Sequence, residues 1–331
     1  MTEFTFITAN DIHVSDNGPR GRIDDFKAAI FDKLTQMSTA CSKLKADAAL
    51  LTGDLYNLKN PARNTHALNI ELIKIFKTFP CPIYMVEGNH DLTGNNLESL
   101  KDQPLGVLFA DGTLRQLRHE TIKKNDQEVS LVGVPYIENL DLTTLNLPSN
   151  ENYAAQICIM HLYAGIKAGM LYRERLYGYD ELAKLPADIF VLGHYHVDQG
   201  IYEDSGKYFM NIGSLSRGTQ TEEDIEHHPQ IGLIKIAIED GKKPEFVLRS
   251  IKLRIKPAGE IFNMAKKAEE KREKEEIQVF VEKLAAEAAK GPVDKTKSIE
   301  DIITSMDMAK IIRDRVMHFI QEAQGVQHHE D

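Results

Sequence analysis

Short apolar runs alternate with longer amphipathic stretches over the first two thirds of the chain. Apolar runs bounded by polar residues predict buried strands, and apolar positions that recur about every three or four residues predict helices. The predicted strands are Phe4–Ala9, Ala48–Leu51, Ile83–Val86, Glu128–Val134, Gln156–Met160, Ile189–Leu192, Tyr208–Ile212, Gly232–Ile238 and Glu245–Lys256. The predicted helices are Ile23–Leu44, Asn64–Phe79 and Tyr179–Leu185. Early strand–helix alternation and later strand clustering predict α/β layers closed by a mixed sheet.

The pattern changes near Pro257, beyond which no run predicts a strand. Residues 266–276 are mostly Lys, Arg and Glu, and two apolar stripes at helical spacing follow, separated by Gly291 and Pro292. The stripes consist of Ile277, Phe280, Val281 and Leu284, and of Ile312, Val316, Phe319 and Ile320. We therefore predict a domain over residues 1–257 and a helical extension over residues 258–331. The first stripe either packs on its own domain or docks on a partner, and both alternatives stay open.

Composition and charge narrow the class of protein. The chain has 331 residues, 42% of them hydrophobic, so it can bury a full core. No apolar run approaches the ~20 residues that a membrane span needs, and no basic start precedes an apolar run, so we expect a cytoplasmic protein without a membrane partner. Cys41, Cys81 and Cys158 have no paired spacing and are expected to be reduced. The net charge of −10 argues against nucleic acid, although bound divalent cations would offset part of it.

Five short polar motifs each follow a predicted strand, and the ends of strands can converge at one edge of a sheet. The motifs are Asp11-Ile12-His13, Gly53-Asp54, Gly88-Asn89-His90-Asp91, His161 and Gly193-His194-Tyr195-His196. Asp, Asn and His offer oxygen and imidazole ligands, which suit Mn²⁺, Fe²⁺ or Zn²⁺. Each motif alone also fits an ordinary turn, a helix cap or a buried structural histidine. Their joint, ordered occurrence predicts a metal site.

In this order the motifs resemble the calcineurin-like metallophosphoesterase superfamily, whose pattern is D-x-H, G-D, G-N-H-[DE], H and G-H-x-H. The resemblance implies a metallophosphoesterase fold of two mixed β-sheets packed as a sandwich and flanked by helices, with residues 1–257 as the catalytic domain. It also implies two divalent ions, Mn²⁺ first and Fe²⁺ or Zn²⁺ as alternatives. One ion would be held by Asp11, His13, Asp54 and His196, and the other by Asp54, Asn89, His161 and His194.

The same resemblance implies roles for two further residues. In a two-metal site the ions clamp the phosphate oxygens and activate the attacking water. His90 would protonate the leaving oxygen, and Asp91 would orient His90. The expected reaction is therefore phosphodiester hydrolysis.

The segments Gly53–Tyr56, Val86–Asp91 and Asn211–Arg217 resemble the SbcD nuclease branch, although Asn57 stands where that branch commonly has an acid. This resemblance implies a DNA nuclease subunit, with exonuclease or endonuclease action in DNA end processing and repair. The C-terminal helices would dock on an SMC-like ATPase (SbcC-like), and a homodimer is left open. The alternatives are a stand-alone cyclic- or dinucleotide phosphodiesterase and a non-catalytic scaffold of the same fold.

Five arginines are candidate DNA contacts because they lie in predicted loops near the metal motifs, where a phosphate backbone would pass. They are Arg20, Arg22, Arg173, Arg175 and Arg217. The alternative is that they are ordinary surface residues, because exposed arginines are common in folded proteins.

Overall fold

The computed structural model of the chain describes residues 1–171, 174–219, 221–239, 241–269, 271–272, 275, 277–279 and 313. The chain divides into two units, Met1–Phe262 and Asn263–Asp331. The sheets and the candidate site belong to the first unit. In the second unit residues 264–269 are helical, and Ile277 is helical and exposed. The other members of the two predicted stripes lie outside the described residues.

The strands and helices of the first unit follow the apolar pattern of the chain. In chain order the strands are β1 (Thr2–Ala9), β2 (Ala48–Leu51), β3 (Ile83–Met85), β4 (Arg115–Gln116), β5 (His119–Lys124), β6 (Gln127–Val134), β7 (Ala155–His161), β8 (Ala164–Gly165), β9 (Gly169–Leu171), β10 (Glu174–Gly178), β11 (Ile189–Gly193), β12 (Gly200–Asp204), β13 (Lys207–Asn211), β14 (Gln230–Ile238) and β15 (Glu245–Lys252). The α-helices are α1 (Phe26–Leu44), α2 (His66–Phe76), α3 (Pro104–Ala110), α4 (Tyr179–Leu182), α5 (Glu222–Glu226) and α6 (Ala258–Ile261).

Two mixed six-stranded sheets form the body of the fold. Their strand orders are β15-β14-β1-β2-β3-β4 and β12-β13-β11-β7-β6-β5. Side chains from both sheets, including Phe6, Ile157 and Ile234, share one buried cluster, so the sheets pack face to face. The helices α1, α2 and α3 cover the outer face of the first sheet, and α4 packs on the second. The predicted α/β sandwich flanked by helices is therefore confirmed.

The boundaries of the two long helices differ from the predicted ones because polar caps set them. The Asp25 side chain accepts a hydrogen bond from the backbone N–H of Ala28, so α1 begins at Phe26 rather than at Ile23. The Thr65 side chain caps α2 in the same way, by accepting from Leu68. Among the residues that the structure describes, no helix has the length and apolar character needed to cross a membrane.

Parallel pairing brings the chemically important strand ends to one place. β1, β2 and β3 are parallel neighbours in the first sheet, and β7 and β11 are parallel neighbours in the second. In the second pair, Gly193 lies opposite His161. Because the carboxyl ends of parallel strands share an edge, the loops that follow these five strands meet at one rim of the sandwich.

Candidate metal centre

Seven potential ligands converge at this rim, and each lies at or just after the end of a strand. They are Asp11, His13, Asp54, Asn89, His161, His194 and His196. One ligand atom from each of Asp11, His13, Asp54 and His196 lies within 4.8 Å of the others. A second group, Asp54, His161 and His194, meets the same limit, and Asp54 belongs to both groups. The Asn89 side-chain oxygen lies 3.1 Å from His161 Nε2, which adds it to the second group.

The backbone is strained at several of these ligands. Asp11, His13, Asp54 and His194 have φ angles of 46°, 50°, 52° and 77°, in the left-handed region that non-glycine residues rarely adopt. Such conformations cost on the order of 1–3 kcal/mol each and persist only where surrounding contacts enforce them. One such contact is the hydrogen bond of 2.9 Å from the His13 N–H to the Asp54 carbonyl. The strain turns each side chain from its strand direction toward the shared centre.

Two glycines let the backbone approach the ligands closely. A Cβ atom on Gly53, whose φ is +106°, would lie 2.6 Å from His161 Nδ1. A Cβ atom on Gly88 would collide with the Asp54 carboxylate. Only glycine fits at these two positions without displacing a ligand.

Hydrogen bonds fix the orientation of the shared carboxylate and of one histidine. His161 Nδ1 lies 2.7 Å from the Thr52 carbonyl oxygen, so this nitrogen carries the hydrogen and Nε2 presents its lone pair to the centre. Asp54 Oδ1 accepts from the His90 N–H at 2.7 Å. The second Asp54 oxygen, Oδ2, lies 3.6 Å from His161 Nε2 and 3.5 Å from His13 Nε2. Asp54 is thus placed between the two groups.

The donor atoms fit a pair of divalent cations. Among the described residues, Asp54 Oδ2 is buried without a hydrogen-bond partner, a costly state for a carboxylate oxygen unless a cation compensates it. His13 Nε2 and His196 Nε2 lie only 2.9 Å apart, so their electron pairs converge. Each of the seven ligands offers oxygen or imidazole nitrogen and none offers sulfur, a set that suits Mn²⁺, Fe²⁺ or Zn²⁺.

Burial sets the protonation of the ligands. Burial and the neighbouring Asp54 carboxylate raise the pKa of Asp11 well above its ordinary value. Burial also lowers the pKa of His13 well below its ordinary value and lowers that of His161 to about 4. Burial alone would raise the pKa of Asp54, but His161, His13 and His90 hold it below its usual range. The two histidines are therefore neutral near pH 7, which is the form that binds metal.

His90 belongs to neither ligand group, although its ring centroid lies 4.8 Å from that of His13. Its Nδ1 lies 2.9 Å from the Asn57 carbonyl oxygen, which leaves Nε2 for another partner. Asp91 does not bond to this ring. Its carboxylate accepts from the N–H groups of Gly88 and Leu55, each at 3.0 Å, so any influence of Asp91 on His90 runs through the loop backbone.

The sequence reasoning missed Glu174, which contacts a predicted ligand directly. Glu174 Oε1 lies 3.0 Å from His194 Nε2 and 3.5 Å from the Tyr136 hydroxyl. Since Nε2 is engaged by the carboxylate, Nδ1 is the His194 nitrogen left for a metal ion. Glu174 lies on the short strand β10, where no apolar periodicity or motif marks it.

Two of the five candidate DNA-contact arginines are buried, which corrects their predicted role. The Arg22 side chain is 2% exposed and forms an ion pair with Asp24. Arg217 is 3% exposed, and its guanidinium donates to the carbonyl oxygens of Asp224, Ile225 and Lys256. Both side chains also lie over the Phe262 ring. These contacts hold the structure together and leave neither group open to a DNA backbone.

The structure describes two of the three remaining arginines. Arg20 is exposed. Arg175 is half exposed, lies over the Tyr177 ring and pairs with Glu181 at 2.5 Å. Arg173 lies outside the described residues. Arg20 and Arg175 therefore stay candidates for a phosphate contact.

A cavity of about 820 Å³ opens beside the centre, and Asp54, His90 and His196 reach it. Its lining also includes four acids, Asp198, Glu223, Asp224 and Glu226, and the cation Lys252. A small ester fits this space easily. A polyanion entering it would meet electrostatic repulsion.

Comparison with known proteins adds four findings. A family model described as calcineurin-like phosphoesterase matches residues 4–211 of the chain. The DNA double-strand break repair protein Mre11 of Saccharolobus solfataricus is 24% identical over 236 residues, which cover 69% of this chain and 58% of that protein. The protein of the same name from Sulfolobus acidocaldarius is 24% identical over 66% of this chain and 56% of that protein. A dimetal phosphatase structure from Danio rerio is 13% identical, with coverages of 76% and 99% and a TM-score of 0.46. The chain thus spans little more than half the length of the two repair proteins.

Proposed function

Since the chain belongs to the calcineurin-like phosphoesterase family, we propose that it is a DNA nuclease subunit of the SbcD type, acting in DNA end processing. The chain is a metallophosphoesterase with a cluster of residues suited to a dinuclear metal site. The proposal of a DNA nuclease rests on the similarity of the chain, over about two thirds of its length, to DNA double-strand break repair proteins. DNA is the substrate that this similarity favours.

The ligand groups give each residue a proposed task. Asp11, His13, Asp54 and His196 would hold one ion, and Asp54, Asn89, His161 and His194 would hold the other. Mn²⁺ is the proposed metal, with Fe²⁺ and Zn²⁺ as alternatives for the same donors. When bound, such ions lower the pKa of the attacking water and stabilise charge on the phosphate oxygens. The strained loops hold the ligands in place before the ions arrive.

His90 is the proposed general acid. With the Nδ1 hydrogen donated to the Asn57 carbonyl, Nε2 is the nitrogen that can deliver a proton to the leaving oxygen. The same residue anchors the centre, because its backbone N–H donates to Asp54 Oδ1. Its ring is thereby held beside the ligands without being one of them.

The partners are proposed from the sequence resemblance. Residues 1–257 would form the catalytic domain, and the helices of residues 258–331 would dock on an SMC-like ATPase. Arg20 and Arg175, with Arg173, would contact the DNA backbone. A homodimer stays open, and the proposed location is the cytoplasm.

A second candidate is a stand-alone phosphodiesterase acting on cyclic nucleotides or dinucleotides. The acids of the cavity lining favour it, because a small ester carries less negative charge past Glu223 and Glu226 than DNA does. A non-catalytic scaffold is disfavoured, because both ligand groups and His90 are intact.

One assay tests these alternatives. The full chain is loaded with Mn²⁺, Fe²⁺ or Zn²⁺ in parallel and offered single-stranded DNA, double-stranded DNA, bis-p-nitrophenyl phosphate, a cyclic nucleotide and a cyclic dinucleotide. An Asp54→Asn variant serves as the control for contaminating nuclease. We expect DNA cleavage that requires metal and Asp54 and is greatest with Mn²⁺. Hydrolysis of the cyclic substrates with no cleavage of DNA would replace the nuclease proposal with the second candidate.

A further inference from the structure

A second cluster of charged side chains lies outside the metal centre. It surrounds a cavity of about 210 Å³ between α1 and the chain that joins β15 to α6. Its cations are Arg22, Lys33, Arg217, Arg254 and Lys256, and its carboxylates are Asp24, Asp25 and Asp32. Arg254 and Lys256 are exposed, whereas Lys33 and Arg217 are buried. Positive charge therefore extends from the buried part of the cavity to its rim.

Lys33 is the unusual member of this cluster. It lies on the buried face of α1 with Ile30, Leu34 and Met37, and only 4% of its surface is exposed. Within the described part of the chain, its ammonium group forms no hydrogen bond or ion pair. Burial, and then the charges of Arg22 and Arg217, lower the pKa of Lys33 to about 7. Because Lys33 lines the cavity, an anion there would accept a hydrogen bond from its ammonium group and stabilise the charged form.

The three carboxylates offset only part of this charge, because the cations of the lining outnumber them by five to three. Both Asp24 oxygens accept from Arg22 at 2.8 Å. Asp25 caps α1, and Asp32 accepts from Gln36 at 2.8 Å. Among the described residues, Arg217 donates to three carbonyl oxygens and to no carboxylate, so its full charge stays on the wall of the cavity.

We propose that this cavity binds a small phosphate-class dianion, either inorganic phosphate or a phosphate monoester. Ammonium and guanidinium groups are strong donors to phosphate oxygens, and the exposed Arg254 and Lys256 would attract the anion to the opening. The site is separate from the metal centre. α5 lies between the two, because Arg217 donates to the Asp224 and Ile225 carbonyls while Asp224 lines the catalytic cavity.

Phosphate binding to the full chain tests the proposal once metal has been removed with EDTA, since phosphate also binds to metal centres. Inorganic phosphate and a nucleoside 5′-monophosphate are titrated separately by calorimetry, which distinguishes the free ion from a monoester. We expect saturable binding of at least one of them. Lys33→Met should weaken that binding by about tenfold or more, as for a lost hydrogen bond to a charged group. Lys43→Met, an exposed lysine on the same helix, is the matched control and should bind as the unaltered chain does.

Two outcomes would overturn the proposal. One is the absence of saturable binding of both ligands to the unaltered chain. The other is equal affinity in the unaltered chain and in a folded Lys33→Met variant, which would locate the anion elsewhere. If Lys33→Met does not fold, Arg254→Gln replaces it, because this exposed side chain at the rim is not needed for packing. Binding that Arg254→Gln leaves unchanged in that case would also reject the site.

Discussion

At the metal centre a buried carboxylate oxygen has no donor among the described residues, whereas in the cavity beside α1 a lysine of the buried helix face has no acceptor among them. Among the described residues, Asp54 Oδ2 represents the first case, and Lys33, which lines its cavity, represents the second. Burying an unpaired polar group is costly, so a ligand of the opposite charge would stabilise each region. The ligands have opposite charge, divalent cations in one region and a dianion in the other.

The two regions also differ in the backbone that supports them. Four metal-centre residues have strained left-handed conformations, whereas Lys33 lies within the regular helix α1. Metal ions require ligands at fixed distances and angles, which the strained loops provide. A phosphate held by ammonium and guanidinium groups needs no such precision, because these groups offer several donors each. Strain therefore distinguishes a site for catalysis from a site for binding alone.

The largest expected effect concerns His90, which lies at the metal centre but is not a ligand. His90→Ala should leave metal content unchanged and slow cleavage of an ester with an alkoxide leaving group by ~10²–10⁴-fold. An aryl ester such as bis-p-nitrophenyl phosphate needs little protonation on departure and should be affected far less. The measurement is kcat on both substrates beside metal analysis. Equal losses on the two esters would show that His90 shapes the centre and donates no proton.

The next effect is a pH dependence of the metal-free protein. The pKa of His161 is about 4 in the folded chain against an ordinary 6.5, so the unfolded chain takes up a proton between these values while the folded chain does not. The free energy of unfolding should therefore fall as pH decreases from 6.5 to 4, by about 3 kcal/mol in total.

Comparison with a His161→Gln variant isolates this contribution. The raised pKa values of Asp11 and Asp91 act in the opposite direction, since their folded forms hold protons that the unfolded chain releases. Those contributions are present in both proteins. Urea unfolding from pH 7 to pH 4 should show a loss of stability in the unaltered chain relative to the variant. Parallel curves would mean that His161 is not held neutral by burial.

A smaller effect, on metal affinity, should follow from Glu174→Gln, which should affect one of the two proposed ion positions and not the other. The carboxylate that accepts from His194 Nε2 fixes the ring for binding through Nδ1, and losing such a partner typically costs 10–100-fold in metal affinity. Equilibrium dialysis should show weakened binding of one ion of the pair. Glu174→Asp should restore part of it, and Glu181→Gln, which removes a surface partner of Arg175, should have no effect. Unchanged affinity for both ions would make the contact incidental.

Most of the sandwich could be predicted because its central strands are apolar along their whole length. β2, β7 and β11 are buried at every residue. The edge strands β5 and β12 were missed because they are largely exposed and lack the alternation that marks a half-buried strand. The convergence of the seven ligands followed from their position at strand ends, which topology alone brings together.

The remaining site features depend on tertiary contacts that the sequence does not mark. Arginines are usually exposed, so the burial of Arg22 and Arg217 against Phe262 could not be inferred from residue type. The burial of Lys33, in contrast, is indicated by the sequence. Lys33 interrupts the apolar stripe of α1 formed by Ile30, Leu34 and Met37, and a charged residue on such a stripe indicates an unusual burial.

The smallest expected effect concerns α5, which lies between the metal centre and the proposed phosphate site. Two exposed acids on this helix, Glu223 and Glu226, line the catalytic cavity. At ~10 Å in a highly hydrated environment, two such charges oppose each phosphate charge by about 1 kcal/mol. Neutralising both with Glu223→Gln and Glu226→Gln should raise the rate of DNA cleavage by a few fold. This gain should fade as added salt screens the charges.

The same double variant should hardly change hydrolysis of bis-p-nitrophenyl phosphate, because that ester carries one charge and DNA carries many. Arg217 holds α5 through the Asp224 and Ile225 carbonyls, so the helix keeps its place when its outer acids are neutralised. Glu120→Gln, an exposed acid on β5, is the control for net charge. A gain on DNA that disappears at high salt would mean that α5 selects among substrates by charge. An equal gain on the small ester would mean instead that α5 acts on the metal ligands, and the two charged regions would then be coupled through this helix.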